Sequence, residues 1–594
     1  MTNPNKNKEA LKTFLFIDFL FGRLKLYGVR FYMKWLKKLI FWYLLFVIVK
    51  FILSYFVFAP SAFGDEYIHA KAARSFFYSL NFGDSYNGFW DEPLYPLTIS
   101  VSYIFNDMEV VYIVMKLINT VLSSLVIFPT WFLSKEFISK EKALAVAIVV
   151  SLIPPMFSFS PFIMTENLFF PLFLFSVFFI YKSFISPSYK WDILSGIFVS
   201  LTILTRMIGL ILIPAIFGLW ILSKFNKENI LQTNKKFVLF LFFILTMSPW
   251  IYIKATTSSE FGADDLIGKY VLNTLNAVGS KNQSYPYFRL IPKFFVYSGY
   301  LILSSLIIFF LHSIYAFKKI KENYNLFILA FLYLFLLIFI LIIGANHGNY
   351  ALDIHNTPGH FPYRWLGSRV IGRYIDAILP LVFIVGGISL DKKNKLPKIF
   401  LILSSAVLIF SSIIITISLF PVNNMSLTYL GVITFSLKDL IQTKFLLILF
   451  GTLFGIAPFL LSVIINNFDY KKLIKLTTMF FIILGVLNYL IISVNSFNSW
   501  YSQDQMQLGL WFNDFDNGKS VVLFDKNSIG DKIKKSDESI LCDAHVCPMG
   551  FWMNNELIFG EPNDKIEADY IISKQNLDFP IVKETKGIFI YRSA

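Results

Sequence analysis

Charge is what this chain lacks. Only 15% of its 594 residues are charged, against about 25% in an ordinary soluble domain. That shortage, beside 56% hydrophobic and 18% aromatic residues, excludes a soluble globular protein. Acidic residues are scarcer still: 38 Asp and Glu face 53 Lys and Arg, for a net charge of +15. In a soluble protein such an excess would point to nucleic acid. Here the lysines cluster between apolar runs, as cytoplasmic loops of membrane proteins do, so no nucleic-acid partner is expected. Two cysteines, Cys542 and Cys547, are too few for a disulfide framework; they can close one small disulfide loop outside the cytoplasm. Repeats and low-complexity tracts are absent. The first 37 residues carry lysines and arginines without a small-residue cleavage site, so no cleavable signal peptide is expected.

Apolar runs are what the chain has in abundance. Residues 38–59, 237–251, 294–311, 326–344, 399–420, 445–465 and 477–493 approach the roughly 20 apolar residues needed to cross hydrocarbon. The chain reads as a polytopic α-helical membrane protein. Residues 11–37 mix apolar and basic residues at helical spacing, so 1–37 reads as an amphipathic helix on the cytoplasmic surface. Lysine clusters fall near 34–38, 135–142, 182–190, 224–236, 318–321, 392–398 and 471–475. If all are cytoplasmic, an even number of crossings separates each neighbouring pair. The intervals 142–182 and 190–224 then become tight helical hairpins, the first broken near Pro154-Pro155. Outer loops fall at roughly 60–107, 254–293, 345–373 and 419–443. The sum is about thirteen helices over 38–494, with the N-terminus inside. Residues 495–594 change character: strand-like runs appear at 520–525, 556–559, 569–573 and 587–592. They read as a small extracytoplasmic α/β domain.

This topology gathers the rare ionisable residues on one face. Asp65 and Glu66 follow the first helix, Glu166 sits near the tip of one hairpin and Arg206 at the tip of the next, and Arg369 and Arg373 precede a later helix. Ionisable groups beside membrane spans are costly and mark function. A carboxylate can take the proton of an attacking hydroxyl, and fixed guanidinium groups stabilise a departing phosphate. Asp65, Glu66 and Glu166 are therefore the candidate catalytic carboxylates. The loop 345–373 is rich in His, Asn, Gly, Trp and Arg and reads as a lid, with His360, Tyr363 and Trp365 toward a sugar. His347, His355 and His360 with Asp353 match no compact metal motif. Asp65 and Glu66 are an alternative pair of ligands for a divalent cation; no other cofactor is called for. Two sequons, at Asn282 and Asn424, are too common by chance to carry weight.

Several segments recur in a familiar order: Gly64-Asp65-Glu66-Tyr67 with Ala70, Ala73 and Arg74; Glu92-Pro93-Leu94-Tyr95-Pro96-Leu97; Met164-Thr165-Glu166-Asn167; Leu204-Thr205-Arg206 with Gly209; and Gly372-Arg373-Tyr374 with Pro380. Over residues 64–380 this pattern resembles the GT-C glycosyltransferases, of the protein O-mannosyltransferase and ArnT type. The resemblance implies a polyprenyl-phosphate sugar donor used at the outer leaflet with inversion at the anomeric carbon. It further implies a protein, lipid-linked glycan or surface-polysaccharide acceptor. By the same resemblance Asp65 is the catalytic aspartate, Glu66 and Glu166 are the further acidic positions, and Arg206, Arg373 and Tyr374 lie near the donor phosphate; Arg369, placed on the same face by the topology, and Arg74 are further candidate phosphate contacts. One departure stands out: ArnT-like members carry Lys or His before a Pro-Pro-Leu-Tyr segment, where this chain has Asp91-Glu92-Pro93-Leu94-Tyr95. Lys71, Arg74 or basic residues of 281–293 are the candidate substitutes. The expected location is a multi-pass position in a prokaryotic plasma membrane, and a carrier for lipid-linked saccharides is the alternative function.

Overall fold

The computed structural model describes residues 26–61, 64–79, 92–186, 188–225, 236–257, 290–317, 324–352, 370–391, 396–415, 424–431, 433, 443–467, 469–516, 518, 520–525, 528, 546–562 and 568–593. Helix dominates, as a chain must arrange when backbone polar groups have no water to bond. Among the described residues five helices are long and apolar enough to cross a membrane: Met108–Ser134, Glu166–Ile185, Lys236–Ile253, Tyr324–Asn346 and Tyr470–Tyr501. A sixth span is formed if Ile291–Ser304 and Ile308–Tyr315 count together, although they bend by 107°. The protein is thus a multi-pass membrane protein. These five or six, counted among the described residues alone, stand beside the roughly thirteen spans that charge counting predicts for the whole chain. Much of the remaining apolar sequence forms helices of 10–17 residues, such as Met207–Ser223, Asp376–Leu390 and Lys398–Ser412.

Local chemistry sets these breaks. The Lys140–Leu152 helix stops where Ile153 turns extended ahead of Pro154, because a proline disfavours helical geometry in the residue before it and donates no N–H. The chain then runs irregularly through 158–165 before the Glu166–Ile185 helix begins. Likewise Tyr189–Thr205 ends at Arg206, whose backbone is extended (φ −161°), and a short 3-10 turn, Met207–Ile211, leads back. An ionisable residue borders each interruption: Glu166 opens the helix after the first, and Arg206 caps the helix before the second. Tyr189–Thr205 packs tightly on Lys236–Thr257 through Gly196, where a Cβ would lie 2.3 Å from the Leu239 carbonyl oxygen.

Residues 504–592 form a separate layer. Strands β1 (Val521–Asp525), β2 (Glu556–Gly560), β3 (Tyr570–Ser573), β4 (Ile581–Thr585) and β5 (Ile588–Arg592) build one sheet in the order β2-β1-β3-β5-β4. β1 pairs in parallel with β2 and β3, while β5 is antiparallel to β3 and β4. The Asp504–Asp516 and Val546–Trp552 helices supply Leu508, Phe512 and Met549 to a core with Val522, Phe524, Ile572 and Ile590. This layer rests on the Gly64–Ser79 helix, where the rings of Tyr67 and Phe551 lie 5.9 Å apart, edge to face, and on the Met108–Ser124 helix, where those of Tyr112 and Trp552 lie 5.8 Å apart.

Candidate active site

The Gly64–Ser79 helix opens with Asp65 and Glu66, and consecutive helical residues point in different directions. The two carboxylates therefore have different surroundings. Glu66 turns inward. Its Oε1 accepts hydrogen bonds from the Ser61 backbone N–H (2.8 Å) and hydroxyl, and its Oε2 from the Ile163 N–H (2.8 Å). Burial pushes its carboxyl up to about 7 despite these three donors. Glu66 thereby ties the start of its helix to the irregular stretch that leads to Glu166, and both of its oxygens are engaged.

Asp65 turns the other way. Its side chain is 43% exposed, and its Oδ2 accepts a hydrogen bond from Arg373 Nη2 at 2.7 Å. Burial would raise this carboxyl. The Arg373 charge and hydrogen bond, with smaller help from His69 and Arg206, outweigh burial and hold it below the usual aspartate value. Arg373 sits on a 3-10 turn, Gly372–Tyr374, and its side chain is only 10% exposed.

A second pair lies alongside. The Arg206 guanidinium contacts Glu166 Oε1, and the Glu166 side chain is 1% exposed. The two arginines converge on one ring: Arg206 lies 5.3 Å and Arg373 5.4 Å from the centroid of Tyr374. Tyr374 thus offers each guanidinium group an aromatic partner. The Arg206 turn is held from outside by Glu92, whose Oε1 accepts a hydrogen bond from the Met207 N–H at 3.0 Å.

Asp65, Glu166, Arg206, Arg373 and Tyr374, expected from sequence to work together, are brought together. Arg74 is not. Its guanidinium donates to the carbonyl oxygens of Met553 and Asn555, so it brackets the C-terminal layer rather than facing the two pairs. Arg369, His360, Tyr363 and Trp365 lie outside the described residues, as do Cys542 and the side chain of Cys547. Among the described residues no group of three or more His, Cys, Asp and Glu side chains is arranged to hold a metal ion, and Glu66 turns away from Asp65 rather than sharing a ligand with it.

Sequence reasoning missed two participants. His69, one helical turn beyond Asp65, is buried with its ring edge-on to Tyr95 at 5.4 Å. Burial lowers its imidazole to about 4, so it is neutral at physiological pH. The i, i+4 spacing from Asp65 was the available signal. Glu92 was the other: it stood out only as a departure from a motif.

A family model for dolichyl-phosphate-mannose-protein mannosyltransferase matches residues 93–253. The fold is similar to the crystal structure of ArnT from Cupriavidus metallidurans in the apo state. The two share 13% identity, with 88% of this chain and 86% of that chain covered and a TM-score of 0.50. The structure of the same enzyme bound to undecaprenyl phosphate aligns with a TM-score of 0.51 at the same identity and coverage. The chain has a GT-C, ArnT-like fold. No curated protein matches it in sequence. Within this GT-C frame, the segment matched by the family model holds Glu166 and Arg206, whereas Asp65 and Arg373 come from either side of it. The constellation is thus assembled from parts of the chain about 310 residues apart.

Proposed function

We propose that this protein is a glycosyltransferase that moves a sugar from a polyprenyl-phosphate donor to a hydroxyl acceptor at the outer face of a prokaryotic plasma membrane. The observation that carries the reading is the paired arrangement around Tyr374: an accessible carboxylate, Asp65, paired with Arg373, and a buried carboxylate, Glu166, paired with Arg206. Its precedent is a fold whose similar ArnT structure is bound to undecaprenyl phosphate. In the reaction the acceptor oxygen attacks the anomeric carbon, with inversion, while Asp65 takes its proton. The bond from that carbon to the phosphate oxygen breaks, and the electron pair leaves with the polyprenyl phosphate. Arg373 and Arg206 stabilise the charge that develops there.

The two carboxylate–arginine pairs carry different duties in this reading. Glu166, buried against Arg206, anchors the cation. Asp65, with its side chain partly exposed, is the base, and Glu66 shapes the turn behind it. The topology that goes with it is about thirteen crossings, a cytoplasmic N-terminus and an extracytoplasmic C-terminal domain. Acceptors fall in the class of protein, lipid-linked glycan or surface-polysaccharide hydroxyls, with the loop 345–373 as lid.

The test is transfer by purified protein in lipid from a panel of polyprenyl-phosphate sugars, read as release of polyprenyl phosphate coupled to acceptor modification. Coupled release with one donor supports the reading. Donor-dependent movement of intact lipid-linked sugar between leaflets, without release, would establish the carrier instead. The bent pair at 291–315 favours a carrier, since interrupted helices line many transport sites.

A further inference from the structure

The Arg373 turn is held more tightly than its length would lead one to expect. Gly372 cannot be replaced without moving Tyr300, whose Cζ would lie 2.1 Å from an added Cβ. The Ile371 N–H donates to Tyr297 Oη at 3.1 Å, and Tyr300 Oη donates to Asp376 Oδ1 at 3.2 Å. Both tyrosines belong to the Leu290–Ser304 helix. From a distant part of the chain comes Asn424, wholly buried. Its Oδ1 accepts from the Gly372 N–H at 2.8 Å, and its Nδ2 donates to the Val370 carbonyl. One side-chain amide thus closes on both flanks of Ile371, immediately before Arg373. Just beyond it, the Met425 carbonyl accepts from Asn488 Nδ2 at 3.1 Å, which ties this bracket to the Tyr470–Asn495 helix.

We propose that Asn424 is a positioning residue that fixes the Arg373 turn for its phosphate, an inference that rests on the function proposed above. The chemistry suits an asparagine. A side-chain amide presents one acceptor and one donor side by side without any need to hold a proton, matching an N–H and a C=O of the same backbone stretch. Burial makes each bond matter, because an orphaned buried backbone group costs more than a bond made in water gains. An arginine displaced by even an ångström loses its alignment to a phosphate and to Asp65. The same geometry removes the sequon Asn424-Met425-Ser426 as a glycan acceptor, since its amide nitrogen is buried and engaged.

The experiment is a double-mutant cycle on full-length protein in lipid, with polyprenyl phosphate binding as the readout for wild type, Asn424→Ala, Arg373→Gln and the double variant. Asn424→Ala weakens binding by about tenfold, the loss of roughly one hydrogen bond's worth of alignment. In the Arg373→Gln background it adds less than twofold, because residues acting through one another are non-additive. Wild-type-like binding by Asn424→Ala, or the same loss in both backgrounds, overturns the proposal. If the alanine variant does not fold, Asn424→Ser, which keeps one bond of the two, enters the same cycle with a smaller loss. A wild type that binds no polyprenyl phosphate would sink the proposed function instead. The bracket is then judged on hydrogen exchange of the Gly372 amide: faster exchange in Asn424→Ala supports it, and unchanged exchange overturns it.

Discussion

Replacing Glu66 by glutamine separates shape from charge at the root of the site. The wild-type carboxyl is 1% exposed, and burial lifts it from the ordinary 4.5 to about 7. A group whose folded value is raised binds its proton more tightly in the native state. Its contribution is therefore full below about 4.5 and is lost as pH rises through about 7. That difference corresponds to about 3 kcal/mol. Glutamine keeps the volume, cannot ionise, and so removes the pH dependence. It also sets an N–H₂ against one of the donors that Glu66 now accepts, at a constant cost of about 1–3 kcal/mol. The assay is thermal unfolding of both proteins in the same lipid between pH 4.5 and 8.5. The difference curve should favour wild type at the acid end and narrow or cross toward the alkaline end. Parallel curves over that range would refute the reasoning, because they would mean that Glu66 does not titrate there.

Three further outcomes follow from the same geometry. Arg373→Gln removes the main influence holding the Asp65 carboxyl down and leaves burial to raise it; the acid limb of the pH profile for transfer should move to higher pH, and an unmoved limb would show that Asp65 is not the titrating base. Arg206→Ala strands Glu166 in a buried position, a loss of about 3–5 kcal/mol in stability, whereas Arg206→Met with Glu166→Leu should recover most of that stability in thermal unfolding while transfer stays low. Arg74→Ala frees the carbonyls of Met553 and Asn555; limited proteolysis should then cut the C-terminal layer faster, with donor binding changed less than twofold.

The site was largely legible in the sequence because the chain is so poor in charge. In an apolar background Asp65, Glu166, Arg206 and Arg373 could be counted, and lysine parity predicts them on one side. Parity said less about where each side chain turns. Asp65 and Glu66 are neighbours in sequence, yet one meets Arg373 and the other meets Ser61 and Ile163. Arg74 was indistinguishable by type from a phosphate ligand, and only the docked C-terminal layer reveals its carbonyl partners. Four strands were visible as apolar runs, whereas β4, the sheet edge with the sequence IVKET, has no apolar face to announce it. Asn424 was hidden most deeply: it looked like a chance sequon, and its meaning lies in backbone partners 52 and 54 residues away.

The central claim is that Asp65 accepts the acceptor's proton while the arginines hold the donor. Single-turnover transfer by wild type and Asp65→Asn in lipid, with donor binding measured in the same preparations, tests it most directly. Asparagine keeps the size and the Arg373 neighbour but is not a base. The account predicts donor affinity within a few-fold of wild type and transfer slower by about 10²–10⁴-fold. Transfer at the wild-type rate, or a loss explained wholly by donor binding, would contradict it.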